Sequence, residues 1–313
     1  MTIGIGAFGD RAGQAVIEGL AAAEAVGRGA LHGFVALVAI GRDGRLHRAE
    51  VQDGGARALL AGGPVPDHIA DAQLAGLMSS GPNRPMPLSQ FTPADPEVGL
   101  VTGHRFPNAR GVRDRPLNLE VLELMRQGFD PQAALARVIA DNPQADAGFI
   151  ALSRDGRLHA ENTPYLLGFG DAGKAVGRIG DGKAGVEVLH NAISPHGSLA
   201  GLVVEVVLSV MGSPRAPDSI AAFRAGVPLF ISDENAVHLD DAEQVQAIAT
   251  RDKRYGFGSW SFGLGYRARV YRQNLLVGSA LYEPFLTAED GRIASIDGGS
   301  SINLPIRIKQ PNV

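Results

Sequence analysis

The sequence predicts an α+β protein in which helices pack on antiparallel β-sheet. The hexapeptide Arg-Asp-Gly-Arg-Leu-His occurs twice, at Arg42–His47 and at Arg154–His159. Each copy follows an apolar run that begins Gly-Phe, at Gly33 and at Gly148. Asp-Gly between apolar runs is typical of a β-hairpin. Because a helical pattern precedes each hairpin, the order favours helices on antiparallel sheet over a doubly wound parallel sheet.

The first helix is predicted directly after the N-terminal strand. Asp10 is a suitable cap, Val16 and Leu20 lie on one apolar side, and Gly27 or Gly29 is expected to end the helix. We expect this apolar side to pack over the outer face of the sheet that holds the first Gly-Phe strand.

Two helices are predicted before the second hairpin. Asn118 to Gln127 has a helical pattern with Gly128 as its stop. Asp130-Pro131 then starts another helix, because aspartate suits the cap and proline the first turn. Leu135 and Val138 are expected to pack over the outer face of a second sheet, stacked on the first.

The pattern changes from about Gly177 onward. A buried helix is expected at Leu199 to Met211, a strand at Tyr266 to Tyr271, and a closing strand at Ser301 to Ile308. We therefore divide the chain into residues 1–176 and 177–313, with the boundary left open. The segment Gly62 to Pro116 is rich in proline and glycine, and we expect it to consist mostly of loops. Within it, Ser79 to Arg110 is expected to line the main cleft, with Thr102 and Gly103 at its floor.

Composition excludes several classes of function. The 313 residues are 45% hydrophobic, carry a net charge of −4 and include no cysteine. Without a basic tract, nucleic acid is not an expected partner. Without cysteine, disulfides, thiolate metal sites and a cysteine nucleophile are excluded. The N-terminal residues do not fit a signal peptide, and the most apolar run is shorter than the about 20 residues of a membrane span. A cytoplasmic protein that does not bind membranes is expected.

The motif Gly4-x-Gly6-x-x-Gly9 has the spacing of a dinucleotide fingerprint. Only three residues precede it, however, and the next strand enters a hairpin instead of ending in the acid that would bind a ribose. A glycine-rich first strand in tight packing is the preferred interpretation, and no cofactor is expected.

A more informative stretch begins at Val98 to His104, which reads Val-Gly-Leu-Val-Thr-Gly-His. Helical patterns follow, then the strand and turn at Ala147 to Gly156, and then Asn162-Thr163. In this order the first half of the chain resembles the plant-type asparaginase and isoaspartyl peptidase branch of the N-terminal-nucleophile hydrolases. That family combines a Thr-Gly-His-Gly-Glu strand end with a later Gly-Gly strand and an Asp-x-x-Gly turn.

The resemblance implies a four-layer αββα sandwich, here with a C-terminal α/β elaboration, and amide hydrolysis by a threonine. The hydroxyl would be the nucleophile, its own α-amine the base, and N–H or hydroxyl groups the oxyanion hole. This sequence departs from the family at several points. Phe34 stands where the internal threonine should begin, Asp53-Gly54-Gly55 replaces Thr-Gly-Gly, and Arg105 and Phe106 replace Gly-Glu.

Thr2 offers a different nucleophile. Removal of Met1 would leave Thr2 as the N-terminus, so one residue would supply both the hydroxyl and the amine. An α-amine has a pKa of about 8 and can act as a base at neutral pH after a small downward shift. The alternative is that Thr2 is only the first residue of an edge strand.

Further site residues are expected between the two halves. Thr102 and Gly103 are candidates for the oxyanion hole, since the glycine permits close approach of a ligand. The candidates for substrate binding are Asn83, Arg84, His104 and Arg105. Arginine can hold a carboxylate through two hydrogen bonds. The alternatives are a packed histidine and surface ion pairs.

Two functions follow from these observations. The first is an N-terminal-nucleophile amidohydrolase acting on a small amide or peptide-like substrate. The second is a non-catalytic relative that binds a small molecule. A homo-oligomer is compatible with either. His190 with His196, and His238 with nearby acidic residues, have no known metal-ligand spacing, so no metal is expected.

Overall fold

The computed structural model describes residues 1–29, 31–60, 65–180, 182–212 and 217–309. The chain forms two compact units, Met1–Ser213 and Pro214–Val313. The sequence-based division lay at residues 176 and 177. In the structure, the buried helix expected after that point belongs to the first unit.

The described part of the first unit contains strands of two to eight residues: β1 Thr2–Phe8, β2 Val35–Ile40, β3 Leu46–Val51, β4 Leu74–Ser80, β5 Ala94–Asp95, β6 Gly99–Arg105, β7 Ala147–Ser153, β8 Leu158–Asn162, β9 Ala172–Ile179 and β10 Ala184–Asn191. Its α-helices are α1 Ala12–Val26, α2 Gly55–Leu59, α3 Asp67–Ala70, α4 Leu117–Arg126, α5 Pro131–Asp141, α6 Pro164–Leu167 and α7 Leu199–Gly212, with a 3₁₀ turn at Leu88–Phe91.

These strands form two antiparallel sheets. The first has the order β3-β2-β4-β1-β10-β9 and the second the order β5-β6-β7-β8. The two predicted hairpins are confirmed as β2–β3 and β7–β8, and they lie in different sheets. The expectation of loops in the segment from Gly62 to Pro116 is wrong where β4 runs through the middle of the first sheet.

Glycines in β1 allow the two sheets to approach each other. A Cβ atom on Gly4 would lie 2.3 Å from the carbonyl oxygen of Gly103, and one on Gly6 would lie 2.6 Å from Cγ2 of Ile150. Both neighbours of β1 are antiparallel to it. The Gly-x-Gly spacing therefore serves close packing between sheets, as the sequence analysis preferred, and β1 does not start a doubly wound fold.

Helices pack against both sheets. Val16 and Leu20 of α1 are buried in one cluster with β1 and α7, and Leu135 and Val138 of α5 in another with α4, β6 and β7. Asp130 caps α5 as predicted, since its Oδ1 accepts a hydrogen bond from the N–H of Ala133 at 2.8 Å. In the described residues, each helix is too short or too polar to span a membrane.

The predicted cap of α1 is wrong. The cap position is held by Arg11, whose φ of 63° is left-handed and whose side chain makes no capping bond. Asp10 instead pairs with Arg42 of the first hairpin turn. A carboxylate that is engaged by a guanidinium is no longer positioned for the helix.

The second unit contains ten further strands among its described residues: β11 Ser219–Arg224, β12 Leu229–Ile231, β13 Ala236–Leu239, β14 Val245–Thr250, β15 Ser259–Gly263, β16 Arg269–Arg272, β17 Leu275–Ala280, β18 Phe285–Glu289, β19 Arg292–Ile296 and β20 Ser301–Ile308. They form a seven-stranded sheet of order β11-β20-β17-β16-β13-β14-β12 and a three-stranded sheet of order β15-β18-β19. The closing strand predicted at Ser301 to Ile308 is confirmed as β20.

The four-layer αββα sandwich with an α/β elaboration is wrong for this chain. Strands account for 41% of it and helices for 24%, and the strands form four sheets. Over residues 217–309 a 3₁₀ turn at Lys253–Gly256 is the helical element present. The buried helix α7 packs with the first unit. The described strands of the second unit surround a separate apolar core and include the parallel pairs β12–β14 and β13–β16 among antiparallel ones.

Candidate functional site

Thr2 lies at the start of a central strand. Its neighbours across β1 are Ser80 at the end of β4 and Asn191 at the end of β10. The residue is only 5% exposed. The alternative that Thr2 begins an edge strand is therefore wrong, because β1 is paired on both sides.

The hydroxyl of Thr2 is held by two hydrogen bonds. Thr2 Oγ1 donates to Asn191 Oδ1 at 2.8 Å and accepts from the backbone N–H of Arg105 at 2.7 Å. The second bond joins the two sheets, since Arg105 ends β6. These two bonds fix both the position of the oxygen and the direction of its proton.

The N-terminal residue is tied to the same place. Its carbonyl oxygen accepts a hydrogen bond from Ser80 Oγ at 2.6 Å, and Ser80 Oγ accepts one from the Arg84 guanidinium at 2.8 Å. Burial lowers the pKa of the Met1 α-amine, and the charges of Arg105 and Arg84 lower it further. An amine in these surroundings carries less positive charge at neutral pH than a solvated one.

Thr2, Ser80, Arg84, Arg105 and Asn191 form a group that we call the Thr2 cluster. His104 is fully buried beside it. Its Nε2 lies 2.8 Å from Asn162 Oδ1, and because that oxygen can only accept, the proton is assigned to Nε2. Burial lowers the pKa of His104 to about 4, so the imidazole is neutral at pH 7. A side chain on Gly148 would occupy this space, since its Cβ would lie 2.3 Å from both the Nε2 and the Asn162 oxygen.

Arg105 bonds to Thr2 through its backbone N–H, and its guanidinium bonds to Asp146 instead. Its φ is 64°, a left-handed conformation that is unfavourable for a residue with a side chain and that recurs at functional sites. The guanidinium forms a bidentate pair with Asp146, with Nε 2.9 Å from Oδ1, and this pairing raises the pKa of Arg105. The predicted carboxylate-binding group is thus already engaged by a carboxylate of the protein.

Thr102, Gly103 and Asn83 make no hydrogen bond with Thr2. The Thr102 hydroxyl donates to the Leu77 carbonyl at 2.9 Å, which commits it to the interface between the sheets. Gly103 is packed so closely that a Cβ would lie 2.0 Å from the Gly148 carbonyl oxygen. Asn83 is exposed in the loop after β4, with a φ of 61°. Of the seven predicted residues, the structure links Thr2 with Arg105 by a direct bond, and it links Arg84 through Ser80 to the carbonyl oxygen of Met1.

Sequence reasoning missed the amides of the site. Asn191 is separated from Thr2 by 189 positions and Asn162 from His104 by 58 positions. Asn162 was noticed only as part of a family resemblance. The one available signal is that each asparagine is the last residue of a strand, where a polar side chain after an apolar run can be buried only if it finds a partner.

Buried polar atoms next to the cluster remain without hydrogen bonds. They belong to His190, whose two ring nitrogens lack partners, and to Asp171 Oδ1. Burial also lowers the pKa of His190 to about 4. Within the described ranges no three His, Asp or Glu side chains are grouped as metal ligands, and the His238 ring stacks on Tyr271 at 5.5 Å.

The predicted cleft is present in part. A cavity of about 530 Å³ is lined by residues of the segment from Pro87 to Pro96, together with Arg48 and parts of α4. Thr102 and Gly103 are not at its floor, as they are buried within β6. The cavity and the Thr2 cluster are therefore two separate features of the first unit.

Comparison with known proteins places the chain in a family. Two family models match the chain. One of them, over residues 226–301, is described as Domain of unknown function (DUF7259). Among curated proteins, none matches the chain. Residues 2–220, which include Thr2, Arg105 and Asn191, match the Domain of unknown function (DUF6963), and the chain therefore belongs to that family.

Proposed function

We propose that this protein is an N-terminal-nucleophile amidohydrolase in which Thr2, exposed as the N-terminus by removal of Met1, attacks a small amide or peptide-like substrate. The observation that carries the proposal is a pair of hydrogen bonds that hold Thr2 Oγ1 at the start of a central strand, one donated to Asn191 Oδ1 and one accepted from the Arg105 N–H. Such chemistry requires a threonine hydroxyl of fixed direction whose own α-amine is free, so removal of Met1 is part of the proposal.

The reaction would proceed in two steps, formation of an ester on Thr2 and hydrolysis of that ester. The free α-amine of Thr2 takes the hydroxyl proton while Oγ1 bonds to the amide carbonyl carbon. That proton then passes to the leaving nitrogen as the C–N bond breaks, which leaves an ester on Thr2. Water then loses a proton to the same amine as its oxygen bonds to the ester carbon. The C–Oγ1 bond breaks as that proton returns to Oγ1, which releases the acid and restores the threonine. The surroundings that lower the pKa of the Met1 amine would act on the Thr2 amine in the same direction.

Two groups would position the nucleophile without reacting. Asn191 Oδ1 accepts a hydrogen bond from the Thr2 hydroxyl in the resting state and so orients it. The Arg105 N–H supports the oxygen from the other sheet, and the neutral His104 with Asn162 fills the space behind them. Because these groups are buried, they cost little reorganisation when substrate binds.

Arg84 is the better candidate for contacting an acidic part of the substrate. No Asp or Glu of the described ranges lies within 4.0 Å of its guanidinium, whereas Arg105 pairs with Asp146. Arg84 also acts electrostatically on the N-terminal amine, so it lies close to the reacting atoms. The neighbouring exposed Asn83 would lie at the rim of such a site.

The test is release of ammonia or amine from a panel of small amides. Protein whose intact mass lacks Met1 should be active. Thr2→Ala should lose at least about 1000-fold in kcat, as expected for loss of a covalent nucleophile, at a cost in stability of about 1 kcal/mol. Thr2→Ser keeps hydroxyl and amine and should retain part of the activity. Full activity in Thr2→Ala, or in protein that retains Met1, would contradict the proposal.

A non-catalytic binding protein is the second candidate. The observation that favours it is the bond from Ser80 Oγ to the Met1 carbonyl, which gives the unprocessed N-terminus a place in the sheet. An intact mass that retains Met1 would favour this function, since loss of Met1 is necessary, though not sufficient, for the hydrolase. The cytoplasmic location, the small-molecule partner and a homo-oligomer stay predictions.

A further inference from the structure

A second site is formed by the cavity of about 530 Å³ at the edge strand β3. Its wall is built from Arg48 of β3, the 3₁₀ turn after β4, residues in and around β5, Asn108, and one side of α4 with Pro116 before it. The volume falls within the range of pockets that hold small molecules. None of the hydrogen bonds that hold Thr2 involves a residue of this wall.

The wall is largely apolar. The lining includes Leu119 and Leu122 of α4 and four prolines, among them Pro93. Leu119 is 48% exposed although it lies on a helix with a well-buried apolar side. A leucine left open to a cavity gains free energy when an apolar ligand covers it.

Arg48 supplies the distinctive polar group. Its Nη1 donates to the carbonyl oxygen of Thr92 at 3.0 Å and to the Thr92 hydroxyl at 3.3 Å. Burial lowers the pKa of Arg48, and Glu50 is the acidic residue whose charge opposes that shift. Among the described residues, no carboxylate lies within 4.0 Å of this guanidinium, so its charge is only partly compensated.

The single carboxylate of the wall does not supply that compensation. Asp95 is paired with Arg126 at 2.8 Å and accepts the N–H of Glu97 at 2.9 Å. These hydrogen bonds lower the pKa of Asp95, so it stays ionised and engaged. The charge left over in the cavity is therefore the positive charge of Arg48.

We propose that this cavity binds a small monocarboxylate with an apolar body, with its carboxylate on Arg48 and its body against Leu119 and Leu122. A planar guanidinium matches a carboxylate geometrically, and the partly desolvated position strengthens the pairing. The apolar wall selects against small, fully hydrated anions. The site is independent of the Thr2 chemistry and exists whether or not Met1 is removed.

The test uses the full chain and 4-phenylbutyrate as the probe, with affinity measured by calorimetry and ¹H–¹³C methyl shifts. We expect shifts at the Leu119 and Leu122 methyl groups. The neutral analogue 4-phenylbutanol should bind at least about tenfold more weakly, which corresponds to 1.4 kcal/mol. Equal affinity of acid and alcohol, or shifts confined to other parts of the protein, would overturn the proposal. Tighter binding of phenyl phosphate than of the carboxylate would contradict the proposed ligand class.

Arg48→Gln should weaken binding of 4-phenylbutyrate at least tenfold and leave binding of the alcohol unchanged. Arg45→Gln is the matched control, because that side chain is 80% exposed and belongs to the preceding turn. Unchanged affinity in Arg48→Gln would refute the proposal. If thermal melting shows that Arg48→Gln does not fold, Leu119→Glu decides. It places a like charge at a half-exposed position, so a loss of binding supports the site and unchanged binding rejects it.

Discussion

The two copies of the hexapeptide form hairpins of the same register, but the residues that follow each copy lie in different surroundings. Ala39 faces His47 in β2–β3, and Ala151 faces His159 in β7–β8, so the register is identical. Counting from these histidines, Arg48 corresponds to Ala160 and Glu50 to Asn162. The first hairpin thus directs an arginine to the cavity, and the second directs an asparagine to His104. A repeated motif fixes the backbone, while the next few residues decide the chemistry.

The largest expected effect is a difference in the free energy of unfolding between two variants, Ala160→Arg in the second hairpin and Arg48→Ala in the first. Ala160 is fully buried in a cluster with Ile150 and Leu189, so Ala160→Arg would place a charge between the sheets. We expect a loss of more than about 4 kcal/mol in the free energy of unfolding, or failure to fold. Arg48→Ala loses only two bonds to Thr92 and should cost about 1 kcal/mol. Urea denaturation of both variants measures this, and similar losses would show that the hairpins are equivalent.

The second prediction concerns acid. The folded-state pKa of His104 is lowered from 6.5 to about 4 by burial, so the unfolded chain binds a proton more readily between these values. Stability from this group is complete above about pH 6.5 and should fall by about 3 kcal/mol as the pH drops toward 4. His104→Gln should therefore lose less stability than the parent between pH 7 and pH 4.5.

His190, with a pKa also lowered to about 4, keeps part of the acid dependence of the unfolding free energy in the His104 variant. An identical pH profile in parent and His104→Gln would contradict the assignment.

The third and smallest expected effect compares the residues three positions after each histidine. Asn162→Ala leaves the Nε2–H of His104 without an acceptor and should cost about 2 kcal/mol. Glu50→Ala, at the equivalent and partly exposed position, should change stability by no more than about 0.5 kcal/mol. Chemical denaturation of both variants provides the measurement. A larger loss in Glu50→Ala would reverse the comparison.

Local patterns were sufficient to predict the hairpins, the Asp130 cap and the closing strand. In each case the signal and the structure it specifies lie within about ten residues. The cap by Asp10 failed because Arg42, a distant residue, competes for the same carboxylate. The fold class failed because the sequence does not show that α7 packs on the first unit and leaves the second to strands alone.

The candidate site was predicted in part, since Thr2, Arg84, His104 and Arg105 were selected but Asn191 and Asn162 were not. Thr2 could be selected because nucleophile chemistry at an N-terminus depends on one residue. Asn191 and Asn162 could not, since their roles arise only when strand ends from distant parts of the chain meet. Arg105 was selected for its charge, whereas the structure uses its N–H, a group that every residue except proline carries.

The hydrogen bond from Ser80 to the Met1 carbonyl also has a consequence for the life of the chain. It places the Met1–Thr2 peptide bond at the mouth of a formed sheet, with Thr2 already buried. An aminopeptidase must draw this bond, extended, into its own cleft. The removal of Met1 that the proposed function requires would therefore meet least resistance before β1 is inserted between β4 and β10. A chain that folds with Met1 in place would hold that residue at the edge of the site through the Ser80 hydroxyl.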